Sequence, residues 1–284
     1  MRVINMNTGE GYKLITFPDS QPHVVIDEED HFSFCTRVIC SLTSPGKLVE
    51  LLLVSDALNG IDQEILELHI PYLLGARYDR RINKGDSFDL KVFADLINSV
   101  NAQVHLYDPH SNVAELLIKN VVVHTNEPLV EAYEKENAVL IIPDAGAAKK
   151  AEKYPEWNTN IVDTVQCLKK RDLQTGKVLG VEIFNGEKCA GRNCVIIDDL
   201  CDGGRTFTAI VDELRAQGWI PDHMTLIVTH GLFSNGFLEL SKRFDHIITS
   251  NTYLHQKGTY KPDDSGGGMK VQVVEYDFNP KDHD

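Results

Sequence analysis

Residues 195–206, Val-Ile-Ile-Asp-Asp-Leu-Cys-Asp-Gly-Gly-Arg-Thr, bring together the residue types best suited to chemistry. Val195, Ile196 and Ile197 read as a strand buried on both faces, which sets the next residues at its carboxyl end. There Asp198 and Asp199 can accept hydrogen bonds from vicinal hydroxyls. Asp202, Gly203, Gly204, Arg205 and Thr206 can wrap backbone N–H groups and a hydroxyl around a phosphate, at the start of a helix near Phe207. Sugar hydroxyls beside a phosphate describe a phosphorylated ribose. The same residues would also suit an Mg²⁺ site or a plain turn with an N-cap, and taken alone they leave all three open.

Four further stretches have the same character. Pro71-Tyr72-Leu73-Leu74-Gly75-Ala76-Arg77-Tyr78-Asp79-Arg80-Arg81 follows an apolar strand with a burst of charge, which fits either a solvated loop or a phosphate site using planar Arg donors. Asp108-Pro109-His110 closes another strand, where a carboxylate and an imidazole two apart can share a hydrated Mg²⁺. Pro143-Asp144-Ala145-Gly146-Ala147 is an acidic glycine turn suited to anions and metal. Lys169-Lys170-Arg171-Asp172 follows a short strand, Thr164–Leu168, and opens a stretch to residue 192 that reads as mobile.

These segments need elements to hold them. Strands are expected at Val3–Met6, Lys13–Phe17, His23–Ile26, Glu64–Ile70, Gln103–Tyr107, Asn120–His124, Ala138–Ile142, Met224–His230, His246–Ser250 and Lys270–Tyr276. Val49–Val54 reads as a strand or a helix end. Helices are expected at Phe88–Val100, capped by Asp86 or Ser87, from Pro128, at Ala148–Lys153, at Phe207–Gln217 closed by Gly218, and at Ser234–Arg243. Residues 256–268 read as a loop. A boundary near Asn126-Glu127-Pro128 divides the chain into domains 1–126 and 127–284.

At 284 residues the chain is long enough for two domains. Alternating helix and strand patterns make the class α/β. A net charge of -14 argues against a nucleic-acid or anionic-membrane partner. The six cysteines include no C-x-x-C pair, and a start without an apolar signal core fits a soluble cytoplasmic protein with reduced thiols.

In order along the chain, these pieces resemble the ribose-phosphate diphosphokinase (PRPP synthetase) family. The resemblance runs from about residue 17 to residue 276, through Phe17-x-Asp19, Pro71-Tyr72-x-x-x-Ala76-Arg77-x-Asp79-Arg80, Asp108-x-His110 and Pro143-Asp144-Ala145-Gly146. It continues through Lys169-x-Arg171, the 198–206 loop, Thr229-His230-Gly231-Leu232-Phe233-Ser234 and Ser250-Asn251-Thr252. It implies two phosphoribosyltransferase-like domains, each a mainly parallel sheet flanked by helices, and a transfer of the β,γ-diphosphate of ATP to ribose 5-phosphate with Mg²⁺ as cofactor. Phe17, Asp19, Arg77, Asp79 and His110 would bind ATP, with His110 and Asp144 as metal ligands. Asp198, Asp199, Asp202, Gly203, Gly204, Arg205 and Thr206 would bind ribose phosphate, and Asp144, Ala145 and Gly146 the transferred diphosphate. Lys169 and Arg171, on a closing loop, would stabilise the transition state.

The resemblance also implies small-molecule substrates and a homo-oligomer, a dimer or dimer-based hexamer, because Phe17 and Asp19 match residues that reach a neighbour's ATP site. Against the family pattern the chain starts about a strand and a helix late and lacks the usual C-terminal helix, which leaves the family's hexamer and phosphate/ADP regulation open. Gln21 stands for Glu and Tyr78 for Gln, which bears on nucleotide preference. Arg205 stands for Gly, where a positive φ would cost about 1 kcal/mol or more. An arginine there could reach a second phosphate, so ADP-ribose is an alternative acceptor. A PRPP-consuming transferase or an inactive homologue are the other readings.

Overall fold

The computed structural model describes residues 2–27, 35–171, 178–253 and 268–278, the side chains of residues 35, 169–171, 178 and 179 excepted. The chain forms two compact units, Met1–Thr125 with Tyr276–Asp284, and Asn126–Glu275. The segment from Tyr276 thus groups with the first unit, whereas the sequence reading placed it in the second domain. Both units are α/β, as expected.

The first unit contains β1 (Arg2–Asn5), β2 (Lys13–Thr16), β3 (Pro22–Val25), β4 (Cys35–Ile39), α1 (Pro45–Asn59), β5 (Glu64–Ile70), α2 (Asp89–Asn98), β6 (Gln103–Tyr107), α3 (Val113–Leu117) and β7 (Val121–His124). Its main sheet is parallel, in the order β1-β4-β5-β6-β7, and β2 and β3 form a separate antiparallel hairpin. Because spatial order follows sequence order, right-handed crossovers put the connecting helices on one face. That face is the core, where Val38, Leu68, Ile70, Val104 and Leu106 meet Leu51, Val54, Leu90 and Ile97. Residues 49–54 are helical: Ser44 caps Lys47 N–H and Pro45 sits in the first turn, a start signal that outweighs an ambiguous apolar run. α2 has neither expected cap. Phe88 occupies that position, while the Asp86 carboxylate accepts from Asn83 N–H at 2.7 Å and the Ser87 hydroxyl donates to Asp89.

The second unit contains α4 (Glu127–Glu131), β8 (Ala138–Ile142), α5 (Ala148–Ala151), α6 (Tyr154–Trp157), β9 (Ile161–Arg171), β10 (Val178–Phe184), a 3₁₀ turn (Gly186–Cys189), β11 (Asn193–Cys201), α7 (Arg205–Ala216), β12 (His223–Gly231), α8 (Leu238–Ser241), β13 (His246–Ser250) and β14 (Lys270–Val274). The sheet order is β10-β9-β8-β11-β12-β13-β14, parallel except for the β9/β10 pair. The chain runs outward from β8 through β9 and β10, then returns to β8's other side with β11. That reversal is the topological switch point where α/β sheets bind ligands, outside the carboxyl ends of the strands.

Several expectations are corrected here. The region 172–192 read as mobile contains β10 and the 3₁₀ turn; residues 172–177 lie outside the described residues, as do 256–267 of the expected loop. The helix expected at Ser234–Arg243 shrinks to α8, because Phe233 and Gly236 adopt positive φ and end any continuous helix. Cys40, Cys167, Cys189, Cys194 and Cys201 are buried free thiols. No helix among the described residues is long and apolar enough to cross a membrane.

Candidate active site

In the second unit, the expected site residues gather at the switch point. β8 pairs with β9 at Ile142↔Gln166 and with β11 at Ile141↔Ile196, so the Asp144 turn emerges between the carboxyl ends of its two neighbours. Asp198 and Asp199 lie within β11, not after it. The strand runs on to Cys201 because β12 continues to pair with it as far as Gly231. Asp199 is 8% exposed and its N–H donates to Asp198 Oδ1 at 2.9 Å. Burial, reinforced by the neighbouring Asp199 carboxylate and by Asp144, pushes the Asp198 carboxyl well above the usual carboxylate range. Three acids therefore share one poorly solvated region, an arrangement that a bound cation would relieve.

The turn after β11 is built to leave its backbone open. Gly204 adopts φ 74° as the residue before α7, and a Cβ there would lie 3.0 Å from Leu240. Arg205 is the first residue of α7 with helical backbone, so the strain expected of it falls on Gly204. Arg205 is exposed at the helix N-terminus, where N–H groups attract anions. The turn is fastened from outside: Ser234 Oγ donates to Asp202 Oδ1 at 2.6 Å, and Asn235 Nδ2 donates to the Gly203 carbonyl at 3.3 Å. Behind it, His230 is 5% exposed with Nδ1 2.8 Å from Thr252 Oγ1, and the Ser250 and Thr252 hydroxyls reach the Thr229 carbonyl. Asn235 escaped the sequence reading. Its only signal was polarity just after a buried strand.

Asp144 Oδ1 accepts from Gly146 N–H at 3.0 Å and Ala147 N–H at 3.2 Å, which holds the Asp144-Ala145-Gly146 turn in shape. Lys169 and Arg171 lie on β9, paired with Val181 and Val178 of β10, rather than on a loop. The hairpin continues beyond the level at which β8 ends, since β10 supplies backbone partners that the parallel sheet no longer can.

In the first unit, the expected residues sit on exposed turns. Phe17 is 45% exposed at the tip of the β2/β3 hairpin, closed by Phe17 N–H to the Gln21 carbonyl, with Asp19 accepting from Gln21 N–H at 3.1 Å. Arg77 is exposed after β5, and His110 is exposed in the turn between β6 and α3. Asp79 differs: it is 6% exposed and accepts from Arg80 at 2.7 and 3.1 Å. Arg80 holds its carboxyl below the usual carboxylate range against the opposing effect of burial, with Ser111 and His110 adding to the shift. Asp79 thus holds Arg80 within the 77–81 turn, with the His110 turn close enough to favour its charged form.

No family model matches the chain. It is 28% identical over 259 residues to the ribose-phosphate pyrophosphokinase of Hyphomonas neptunium, covering 84% of this chain and 77% of that protein. With the ribose-phosphate pyrophosphokinase of Corynebacterium efficiens it shares 27% over 249 residues, 83% of this chain and 74% of the other. That of Thermococcus kodakarensis shares 25% over 247 residues, 83% of each. In fold, it matches the crystal structure of the phosphoribosylpyrophosphate synthetase of Mycobacterium smegmatis with a TM-score of 0.76 at 17% identity, over 97% of this chain and 95% of that one. In sequence the chain is similar to proteins named ribose-phosphate pyrophosphokinase, and in fold to a phosphoribosylpyrophosphate synthetase.

Proposed function

We propose that the chain is an ATP-dependent ribose-phosphate diphosphokinase, which transfers the β,γ-diphosphate of ATP to the anomeric hydroxyl of ribose 5-phosphate and releases AMP. The observation that carries this is the switch point of the second unit, where an acidic strand end, a Gly-Gly turn and a helix N-terminus succeed one another within nine residues, 198–206. The relatives' names point to the same reaction.

In this reading Asp198 and Asp199 accept from the ribose hydroxyls, and Asp202 to Thr206 hold the 5-phosphate on backbone N–H groups and the Thr206 hydroxyl. Asp144 to Gly146 cradle the diphosphate. Phe17, Asp19 and Arg77 bind the nucleotide, and Asp79 acts by positioning the turn beside them. The ribose 1-oxygen bonds to the β-phosphorus and gives up its proton to solvent. The bond from that phosphorus to the α,β-bridging oxygen breaks, and the oxygen leaves on AMP. Lys169 and Arg171 neutralise charge that builds on the diphosphate and the departing oxygen. In this reading His110 and Asp144 would be the protein's ligands for Mg²⁺, which would supply charge neutralisation to the phosphates.

A second reading, ADP-ribose as acceptor, is favoured by one observation: Arg205 is exposed at the first position of α7, where a helical side chain can address a phosphate beyond the first. Mass spectrometry of products from ATP, Mg²⁺ and either ribose 5-phosphate or ADP-ribose tests both. PRPP with AMP supports the first acceptor, and a diphosphorylated ADP-ribose the second. Absence of AMP with either would overturn diphosphate transfer and leave a PRPP-consuming or inactive homologue.

A further inference from the structure

The helix-free face of the first unit's sheet is unusually polar. Leu68, Ile70, Val104 and Leu106 point into the core, so the alternating residues Glu67, His69, His105 and Tyr107 occupy the opposite face. Parallel register places them side by side: Arg37 pairs with Glu67, His69 with His105, and Tyr107 with His124. None of these residues has a part in the transfer chemistry.

We propose that Glu67, His69 and His105 form a site for a borderline divalent transition metal ion, with Zn²⁺ as its representative. One ligand atom from each lies within 4.8 Å of the others. His69 Nε2 is 3.4 Å from Glu67 Oε2, and the two imidazoles stack with centroids 4.3 Å apart. Tetrahedral Zn²⁺ with nitrogen and oxygen at about 2.0–2.2 Å sets its ligand atoms about 3.3 Å apart. Closing to that spacing needs the two rings to tilt out of their stack, a side-chain rotation with no change in strand register.

Each ligand has an outer support of the kind that orients metal-binding groups. Arg37 Nε donates to Glu67 Oε2 at 2.6 Å. Tyr107 Oη lies 2.8 Å from His69 Nδ1, which leaves Nε2 for the ion. His105 has Nδ1 3.0 Å from His124 Nε2 and Nε2 3.3 Å from Gln103 Oε1; one contact yields to the ion and the other becomes its support. Burial, helped by His105, lowers His69 to about 4, and burial also lowers His105 and His124, so the rings are neutral and able to ligate at neutral pH. Burial opposes ionisation of Glu67, but Arg37 and His69 outweigh it and hold the carboxylate ionised. Two imidazoles and one carboxylate suit Zn²⁺ better than Mg²⁺, and three protein ligands leave a fourth position for water or an outside donor.

The test uses the full chain without a histidine tag, stripped with chelator and kept in excess Mg²⁺ so that hard-ion sites are filled. Co²⁺ titration is expected to give visible d–d bands of a tetrahedral site, abolished by Zn²⁺, with one ion retained per chain after dialysis. His69→Gln combined with His105→Gln should remove the bands, whereas His110→Ala should leave them. Tyr107→Phe, which removes only a hydroxyl, should weaken Co²⁺ binding about 10-fold. Absence of bands in the unmutated chain overturns the proposal whatever the variants do. Equal uptake by the double variant, with folding checked by circular dichroism, or unchanged affinity in Tyr107→Phe, overturns it too.

Discussion

The two units hold their expected site residues in opposite ways. In the second, Asp198 and Asp199 lie within a strand, Gly204 is locked at positive φ against Leu240, and Ser234 and Asn235 fasten the turn from outside. In the first, Phe17, Arg77 and His110 are exposed on turns, and only Asp79 is buried. The second unit is preorganised around a fixed anionic centre. The first offers side chains that close on a ligand, steadied by one buried carboxylate. Preorganised groups cost stability that is recovered on binding, whereas exposed ones cost little until they are used.

The sharpest break in this contrast is Lys169→Ala. Removing a cation that acts on transition-state charge should lower the rate of AMP formation by about 10² to 10³. Thermal unfolding should be unchanged, and a fall in stability instead would make Lys169 a structural residue.

Within the first unit, Asp79 and Arg77 should separate. Asp79→Ala removes the buried carboxylate that holds Arg80 and should cost about 1–3 kcal/mol of stability, measured by denaturant unfolding. Arg77→Ala should stay within about 0.5 kcal/mol of the unmutated chain while raising KM for ATP. The lowered pKa of Asp79 means its contribution is complete above the unfolded carboxylate value and is lost as pH falls through the folded one. The Asp79→Ala deficit should therefore shrink in acid.

Gly204→Ala tests how tightly the second unit's turn is set. A side chain at φ 74° and 3.0 Å from Leu240 should cost about 1–2 kcal/mol, with weaker binding of ribose 5-phosphate in calorimetry. Arg205→Gly should be milder, because that position is already helical.

The smallest effect runs the other way. Asp198 has a raised pKa, so its folded form binds its proton more tightly and stability falls as pH rises from about the unfolded carboxylate value. Asp198→Asn should remove that loss and raise stability at neutral pH by about 1 kcal/mol, or about 2–4 °C in Tm, while lowering activity. A drop in Tm would show that the charge is already compensated.

Much of this was legible in the residues themselves. β5, β6, β8 and β13 fall where apolar runs or apolar residues at strand spacing predict them, at Glu64–Ile70, Gln103–Tyr107, Ala138–Ile142 and His246–Ser250. The order of acids, glycines and helix start at 198–206 was legible as one of the pieces whose succession along the chain carried the family resemblance, because phosphate loops are local in sequence. Where a neighbouring strand or loop decides, the sequence was silent. Lys169 and Arg171 read as a loop because their polarity hides a strand whose backbone is satisfied by β10. Ser234 and Asn235 read as helix because nothing local says that their side chains are needed by a turn some 32 residues earlier.

The cluster of Glu67, His69 and His105 marks the same division. Alternation along β5 put Glu67 and His69 on one face, a local consequence of the two-residue strand period. That His105 stacks on His69, that Tyr107 and His124 support the rings, and that Arg37 holds the carboxylate were decided by strand order and register. Local period and turn chemistry are written in neighbouring residues. Which distant side chains share a face is set only when the sheet assembles, because that depends on pairing between strands far apart in the chain.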